Sequence, residues 1–178
     1  MSEELLEVYD EQGNTLSPLP RSEVHEKPVK HWHGVVNVWL VNKDLQLMVS
    51  KRSESVGGNP GKWQTYFGGH VPAGLSHSET AVKELQEEIG LTIQPDQLHL
   101  VDKGQFSNED HLHFYESYAY LYNGSPDDLT FSDGEIVQAK WFSIDDYWRA
   151  KTAYPEQWCN ACNLDNQQRI KDWLRHIK

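Results

Sequence analysis

The sequence predicts a single mixed α/β or α+β domain, and three observations carry the prediction. The chain has 178 residues, which suits one domain and is enough to enclose a core. Strand-like and helix-like runs follow one another in the order strands, helix, strands, helix. No internal repeat, low-complexity tract or linker interrupts that order. The expected organisation is one domain over 1–178, with an N-terminal strand and arm over 1–30 and a helical extension over 152–178.

The elements can be justified in turn. "LLEVYDEQGNTL" reads as a strand broken by a turn at Gly13-Asn14, since glycine tolerates the positive φ of tight turns. The segment through Pro18, Pro20 and Pro28 cannot be helical throughout and is expected to run as an extended arm. "GVVNVWLVN" and "LQLMVSKR" flank the turn residues Lys43-Asp44 as a hairpin, because both are rich in β-branched and apolar residues. "SESVGGNPG" is loop, and "KWQTYFGGHV" returns to a strand.

The next helix is clearly bounded. Ser76 and Glu79 have capping-box spacing, and Gly90 stands where a C-terminal cap belongs. Ala81, Val82, Leu85 and Ile89 form its apolar stripe. "LHLVDKGQF" and "HLHFYESYAYLY" read as paired strands, with Leu112, Phe114, Glu116, Tyr118 and Tyr120 on one face. His111 and His113 alternate onto the other face and are expected to be exposed. "EIVQAKWFSI" is a further strand, and "DDYWRA" opens a short helix. A last helix from about Leu164 would bury Ile170, Trp173, Leu174 and Ile177.

Bulk properties exclude several functions. A formal net charge of -11 argues against binding a nucleic-acid polymer, which needs a basic surface. The longest apolar run is too short to cross a bilayer. The acidic start "MSEELLEVYDEQ" lacks a hydrophobic signal region, so a cytoplasmic location is expected, without membrane partners. Cys159 and Cys162 are the only cysteines. A structural zinc site needs four ligands, and no second CxxC or HxxxH supplies them. No thioredoxin-like context precedes them either, so they read as ordinary reduced cysteines.

At 3.6 residues per turn, Glu84, Glu87 and Glu88 fall in one arc beside the apolar stripe. Like charges at this spacing destabilise a helix by roughly 0.2–0.5 kcal/mol per pair. A solvated acidic face softened by Lys83 is one explanation. A hard divalent cation is the other, since Mg²⁺ and Mn²⁺ prefer carboxylate oxygens and commonly bind substrate phosphates.

The strand, the loop of Gly68, Gly69, His70, Val71, Pro72, Ala73 and Gly74, and the helix "KELQEEIGL" together resemble the Nudix box, G-x5-E-x7-R-E-U-x-E-E-x-G-U. With Gly69 first, Glu84, Leu85, Glu87, Glu88, Gly90 and Leu91 are in register. The resemblance runs over about 6–148. It implies an α/β/α sandwich with a mixed β-sheet and metal-assisted cleavage of a diphosphate, with Mg²⁺ or Mn²⁺ on Glu84, Glu87 and Glu88. Many members of the family dimerise, so a homodimer is open. Two positions depart from the pattern: the first box glutamate is Leu75 and the box arginine is Lys83. Lysine keeps the charge but loses the planar two-pronged grip, while Leu75 removes a carboxylate.

Within that superfamily, "VYDEQGN", "RSEVHEKPVKHWHGVVNVWLVN" and "LQLMVSKRSESVGGNPGKWQTYFGGH" resemble the isopentenyl-diphosphate-isomerase-like branch. The isomerases carry a cysteine where this chain has Gly68, which cannot transfer a proton. The resemblance implies phosphate contact by Arg52, supported by Lys51, with Gly69 and His70 beside the substrate. It also groups His33 and His70 with Glu116 as a second metal site, with His25 close to another of its positions. Glu135 matches a family position before the last strand. Glu87, Glu88, Glu116 and Glu135 are candidate bases. Trp32, Trp39, Trp63, Trp141 and Trp148 could stack on a base, although aromatics at β spacing are usually core. The expected partner is a small diphosphate-containing metabolite. The alternatives are a non-catalytic diphosphate-binding module and an isopentenyl-diphosphate isomerase.

Overall fold

The computed structural model describes residues 3–132, 134–159 and 164–176. Cys162 and Ile177 lie outside them. The N-terminal region forms the short strands β1 (Leu5–Leu6), β2 (Val8–Tyr9) and β3 (Leu19–Pro20), then a single helical turn, α1 (Arg21–Val24). The arm is therefore not extended throughout. It contains that turn because Val24 is buried against Leu6 and Val8 in a small apolar cluster of its own.

Strands β4 (Trp32–Val41) and β5 (Gln46–Arg52) follow, then β6 (Trp63–Gln64) and α2 (His77–Ile89). The hairpin expected between β4 and β5 closes on only one registered pair, Val41 with Leu47. Beyond it the two strands part, because each has a longer partner elsewhere. The chain continues through β7 (His99–Ser107), β8 (Leu112–Leu121), β9 (Ile136–Ser143), α3 (Ile144–Ala153) and α4 (Leu164–His176). β4 runs parallel to β8 along its whole length, β8 pairs antiparallel with β7, and β5 pairs antiparallel with β9. The sheet is mixed, as expected.

The second edge of β4 is shared by three partners in succession. β2 pairs at His33, residues 67–70 bridge at Val35 and Val38, and β5 joins at Val41. Helices cover both faces. On one, Ala81, Leu85 and Ile89 of α2 pack on Val36, Val38 and Tyr118. On the other, Tyr147 of α3 and Ile170 of α4 pack with Trp39, Val41 and Ala119. The C-terminal extension is thus part of the core: Trp158 and Ile170 are 5% and 0% exposed. No helix among the described residues is long and apolar enough to cross a membrane.

α2 is bounded as the sequence indicates. Ser76 and Glu79 make the reciprocal capping box, and Gly90 ends the helix at φ 72. Gly68 has φ 144, and a Cβ there would collide with the carbonyl oxygen of Val36. Gly74 also has positive φ, at 85, but has nothing within 4 Å of such a Cβ. Chemical denaturation of the two alanine variants separates collision from backbone strain: Gly68→Ala should lose clearly more stability than Gly74→Ala, whose loss should be about 1 kcal/mol. Equal losses would mean that the approach to Val36 is not tight.

Candidate functional site

The site is built where residues 67–71 lie along β4. Val36 N–H donates to Gly69 O at 2.9 Å, Val38 N–H to Phe67 O at 2.7 Å, and Val71 N–H to Gly34 O at 2.9 Å. This fixes the glycine loop immediately before α2, and the helix returns three carboxylates to it. Glu88 is only 6% exposed and accepts from Gly68 N–H at 3.2 Å. A Cβ at Gly69 would stand 2.8 Å from Glu84 Oε1, so a larger residue there would push that carboxylate aside. Glu87 faces outward, its side chain 54% exposed, and accepts from Lys83 Nζ at 2.5 Å. Lys83 is 3.9 Å from Glu84, so the lysine at the box-arginine position favours Glu87 over the carboxylate that the resemblance assigns to it.

These groups line a cleft of about 570 Å³. Gly69, His70 and the three glutamates form one wall, and Arg52, Ser132 and Glu135 contribute to it from beyond the helix. Glu4 and Arg21, paired at 3.0 Å, reach the cleft from the N-terminal arm. The sequence reading missed both, because nothing local marks an arm residue as meeting a helix sixty residues later. Arg52 is braced: Nε donates to Gly58 O at 2.7 Å and Nη1 to Gln64 Oε1 at 3.1 Å.

Five carboxylates (Glu4, Glu84, Glu87, Glu88, Glu135) thus meet three cations (Arg21, Arg52, Lys83) in one cleft. Burial raises the Glu84 carboxyl to about 7; Lys83 opposes the rise, while Glu87, Glu4 and Glu135 add to it. A partly buried carboxylate among like charges is the environment that a hard divalent cation relieves. The donor set therefore fits Mg²⁺ or Mn²⁺, with Glu84, Glu87 and Glu88 as the residues to hold it.

Several expected residues lie elsewhere. Glu116 is on the α2 face of the sheet, where it accepts from Tyr118 Oη and feels His77, and it is not among the residues lining the cleft. Lys51 pairs with Trp63 and Gln138 within the sheet and does not line the cleft either. Leu75 is half-buried and likewise outside it. None of the tryptophans lines it: Trp39 is core, while the Trp63 ring carries Lys140 Nζ at 4.1 Å. His25, His33 and His70 do gather, with ring centroids 4.7 to 5.2 Å apart. Burial lowers all three imidazoles, His33 to about 4 and His70 to about 2, so His33 and His70 are neutral at physiological pH. His113 was expected to be exposed, but it is half-buried between Phe106 and His33.

The raised Glu84 carboxyl has a signed consequence. Its folded value, about 7, exceeds its ordinary 4.5, so the folded protein binds the extra proton and loses stability as pH rises through that window. In chelator, Glu84→Gln should therefore gain stability over wild type between pH 5 and pH 8, by on the order of 3 kcal/mol. Thermal melts across that range check this; a constant difference would mean that Glu84 is ionised throughout.

Comparison with known proteins gives this geometry its context. Residues 31–160 match the NUDIX domain. An uncharacterized Nudix hydrolase of Clostridium acetobutylicum is 28% identical over 158 residues, which are 84% of this chain and 74% of that protein. An isopentenyl-diphosphate Delta-isomerase of Salmonella heidelberg is 32% identical over 95 residues, about half of each chain (52% and 51%). A crystal structure of a Deinococcus radiodurans protein shares the fold over 97% of this chain and 98% of its own, with a TM-score of 0.68 and 22% identity. The matched segment contains the glycine loop, the three helix glutamates, Arg52 and Glu135, and it comprises most of the sequence: the chain belongs to the Nudix hydrolase family.

Proposed function

We propose that the chain hydrolyses a diphosphate bond in a small cytoplasmic metabolite, such as a nucleoside-diphosphate derivative, with Mg²⁺ or Mn²⁺. The observation that carries this reading is the convergence of Glu84, Glu87 and Glu88 with Arg52 and Arg21 on one cleft. When bound, the ion supplies charge neutralisation at the diphosphate and makes water more acidic. Glu84, Glu87 and Glu88 would hold it. Arg52 has its Nε and Nη1 committed to Gly58 and Gln64. Its guanidinium is thereby oriented, and its remaining N–H groups suit a phosphate oxygen. Arg21 offers a second cation from the arm. Gly69 keeps the approach to Glu84 open.

A proton acceptor must be accessible to water in the cleft. Glu88 is nearly buried and accepts from Gly68 N–H, which favours a holding role for it. Glu87 and Glu135 are exposed at the cleft and suit proton transfer better. Glu116 does not line the cleft and has no part in this reading. Isomerisation of an allylic diphosphate is disfavoured by Gly68, which carries no proton donor. A binding module would not need all three carboxylates.

The test is product release from a panel of diphosphate compounds. Turnover should require Mg²⁺ or Mn²⁺, vanish in chelator and return when the ion is restored. Glu87→Gln should lower it by about two orders of magnitude or more, because several kcal/mol of charge stabilisation are lost. Arg52→Ala should chiefly raise KM. A wild type that binds a diphosphate without turning it over would instead favour the binding module.

A further inference from the structure

Arg52 differs from the other cations of the cleft in what it touches. Arg21 is paired with Glu4 at 3.0 Å, and Lys83 with Glu87 at 2.5 Å, so each faces a carboxylate of the protein itself. Among the described residues, Arg52 forms no ion pair. The hydrogen bonds that brace it, from Nε to Gly58 O and from Nη1 to Gln64 Oε1, end on neutral oxygens. The chain has 27 acidic and 16 basic residues. A guanidinium that lines an acidic cleft and still keeps its charge uncompensated calls for a structural cause.

The strands beneath it provide one. Ser50 of β5 is registered with Gln64 of β6, and Lys51 with Trp63. Side chains alternate along a strand, so Arg52 leaves β5 on the side of Ser50 and Gln64, while Lys51 leaves on the side of Trp63. The Arg52 backbone N–H donates to Lys62 O at 2.9 Å, which holds the two strands together at this end. The guanidinium then lies diagonally across from Gln64, a distance that long side chains span. Gln64 is 2% exposed and does not line the cleft. Water therefore screens little of whatever charge stands at position 64. A carboxylate there would grip the guanidinium more strongly than an amide does, but it would also cancel the charge. An amide fixes the orientation and leaves the charge for a ligand.

We propose that Gln64 is a positioning residue for phosphate: its neutral amide, together with Gly58 O, aims the Arg52 guanidinium at the cleft without neutralising it, and so makes Arg52 the cation that meets the substrate diphosphate. The proposal rests on the diphosphate reading above. Gln64 acts through Arg52 and lies outside the cleft. Charge and aim are therefore separable at this one position. Gln64→Glu keeps an acceptor in place and cancels the charge of the pair. Gln64→Met keeps the charge, at nearly the same side-chain volume, and removes the acceptor.

The experiment uses the full chain with Mg²⁺ and methylenediphosphonate, a diphosphate analogue whose carbon bridge resists hydrolysis, and measures affinity by calorimetry. Turnover of a hydrolysed diphosphate compound supplies KM and kcat alongside. Gln64→Glu should weaken binding by about 30-fold and raise KM to match, with kcat within about twofold of wild type. Gln64→Met should weaken binding by about tenfold. In an Arg52→Ala background, Gln64→Met should change affinity by less than about twofold, because its route to the ligand is gone. Gln64→Glu alone carries the test if Gln64→Met fails to fold. A glutamine with only a structural role would shift the melting temperature and leave affinity and KM alone, and that result would overturn the proposal while hydrolysis stood. A Gln64→Met effect that persists in full without Arg52 would overturn it as well. A wild type that neither binds the analogue nor turns over a diphosphate would overturn the proposal together with the reading beneath it.

Discussion

The architecture depends on the antiparallel pairing of residues 67–71 with the free edge of β4. β4 is committed to β8 along its other edge for nine registered pairs, so only the remaining edge is available to the loop. The loop then satisfies the remaining donors of Val36 and Val38. Unpaired buried N–H groups are costly, so the glycine segment cannot drift from the strand. Gly68 is needed there because the approach to Val36 O leaves no volume for a Cβ. α2 begins six residues after this anchor, and its capping box fixes the start. The direction in which Glu84 and Glu88 return to the loop follows from these two constraints.

That geometry creates an electrostatic problem as well as a site. An acidic chain concentrates five carboxylates around one cleft and supplies only three cations. Lys83 would be the natural neutraliser, yet it sits 2.5 Å from Glu87 and 3.9 Å from Glu84. A lysine ammonium acts as a single point charge, whereas a guanidinium could have engaged both carboxylates at once. Its pair with Glu87 is solvent-exposed and contributes little to stability. Glu84, the more buried of the two, keeps its raised proton affinity. The substitution at the box-arginine position thus leaves the more buried carboxylate without close local compensation, which increases its need for a cation from solution.

How much of this was legible in the sequence depended on the distance over which information had to act. The limits of α2, its apolar stripe and the box register are local patterns, and Ser76, Glu79 and Gly90 stand where the spacing put them. The buried stripe through Ile170 was legible for the same reason, whereas the mixed sheet came from the family resemblance. The β4–β5 hairpin was only half right, since two adjacent β-rich runs do not reveal that each has a longer partner elsewhere. Strand parity put Glu116 among Phe114, Tyr118 and Tyr120, on the face that α2 covers. Family analogy nevertheless grouped it with histidines that lie on the other face, and parity was the better guide. Arg21 was invisible because its role comes from a fold-back of the arm over a long loop, which no local pattern encodes. His113 was expected in solvent because alternation gives a face but not what covers it; Phe106 and His33 supply the cover.

The same alternation brings two kinds of donor within a few ångströms of each other. Successive residues of an extended segment point to opposite sides. At Gly69 the open side meets the carboxylate of Glu84, while the ring of the next residue, His70, turns to His25 and His33. One dipeptide therefore stands between an oxygen-rich wall and a nitrogen-rich one, and His70 borders both. Glu116, held by Tyr118 and near His77 on the far face of the sheet, keeps its charge away from the histidine cluster. Because the backbone around Gly69 and His70 is hydrogen-bonded to β4 at Val36 and Gly34, a shift on either side of the dipeptide would be felt on the other. The glutamate wall and the histidine cluster therefore share one anchor on β4.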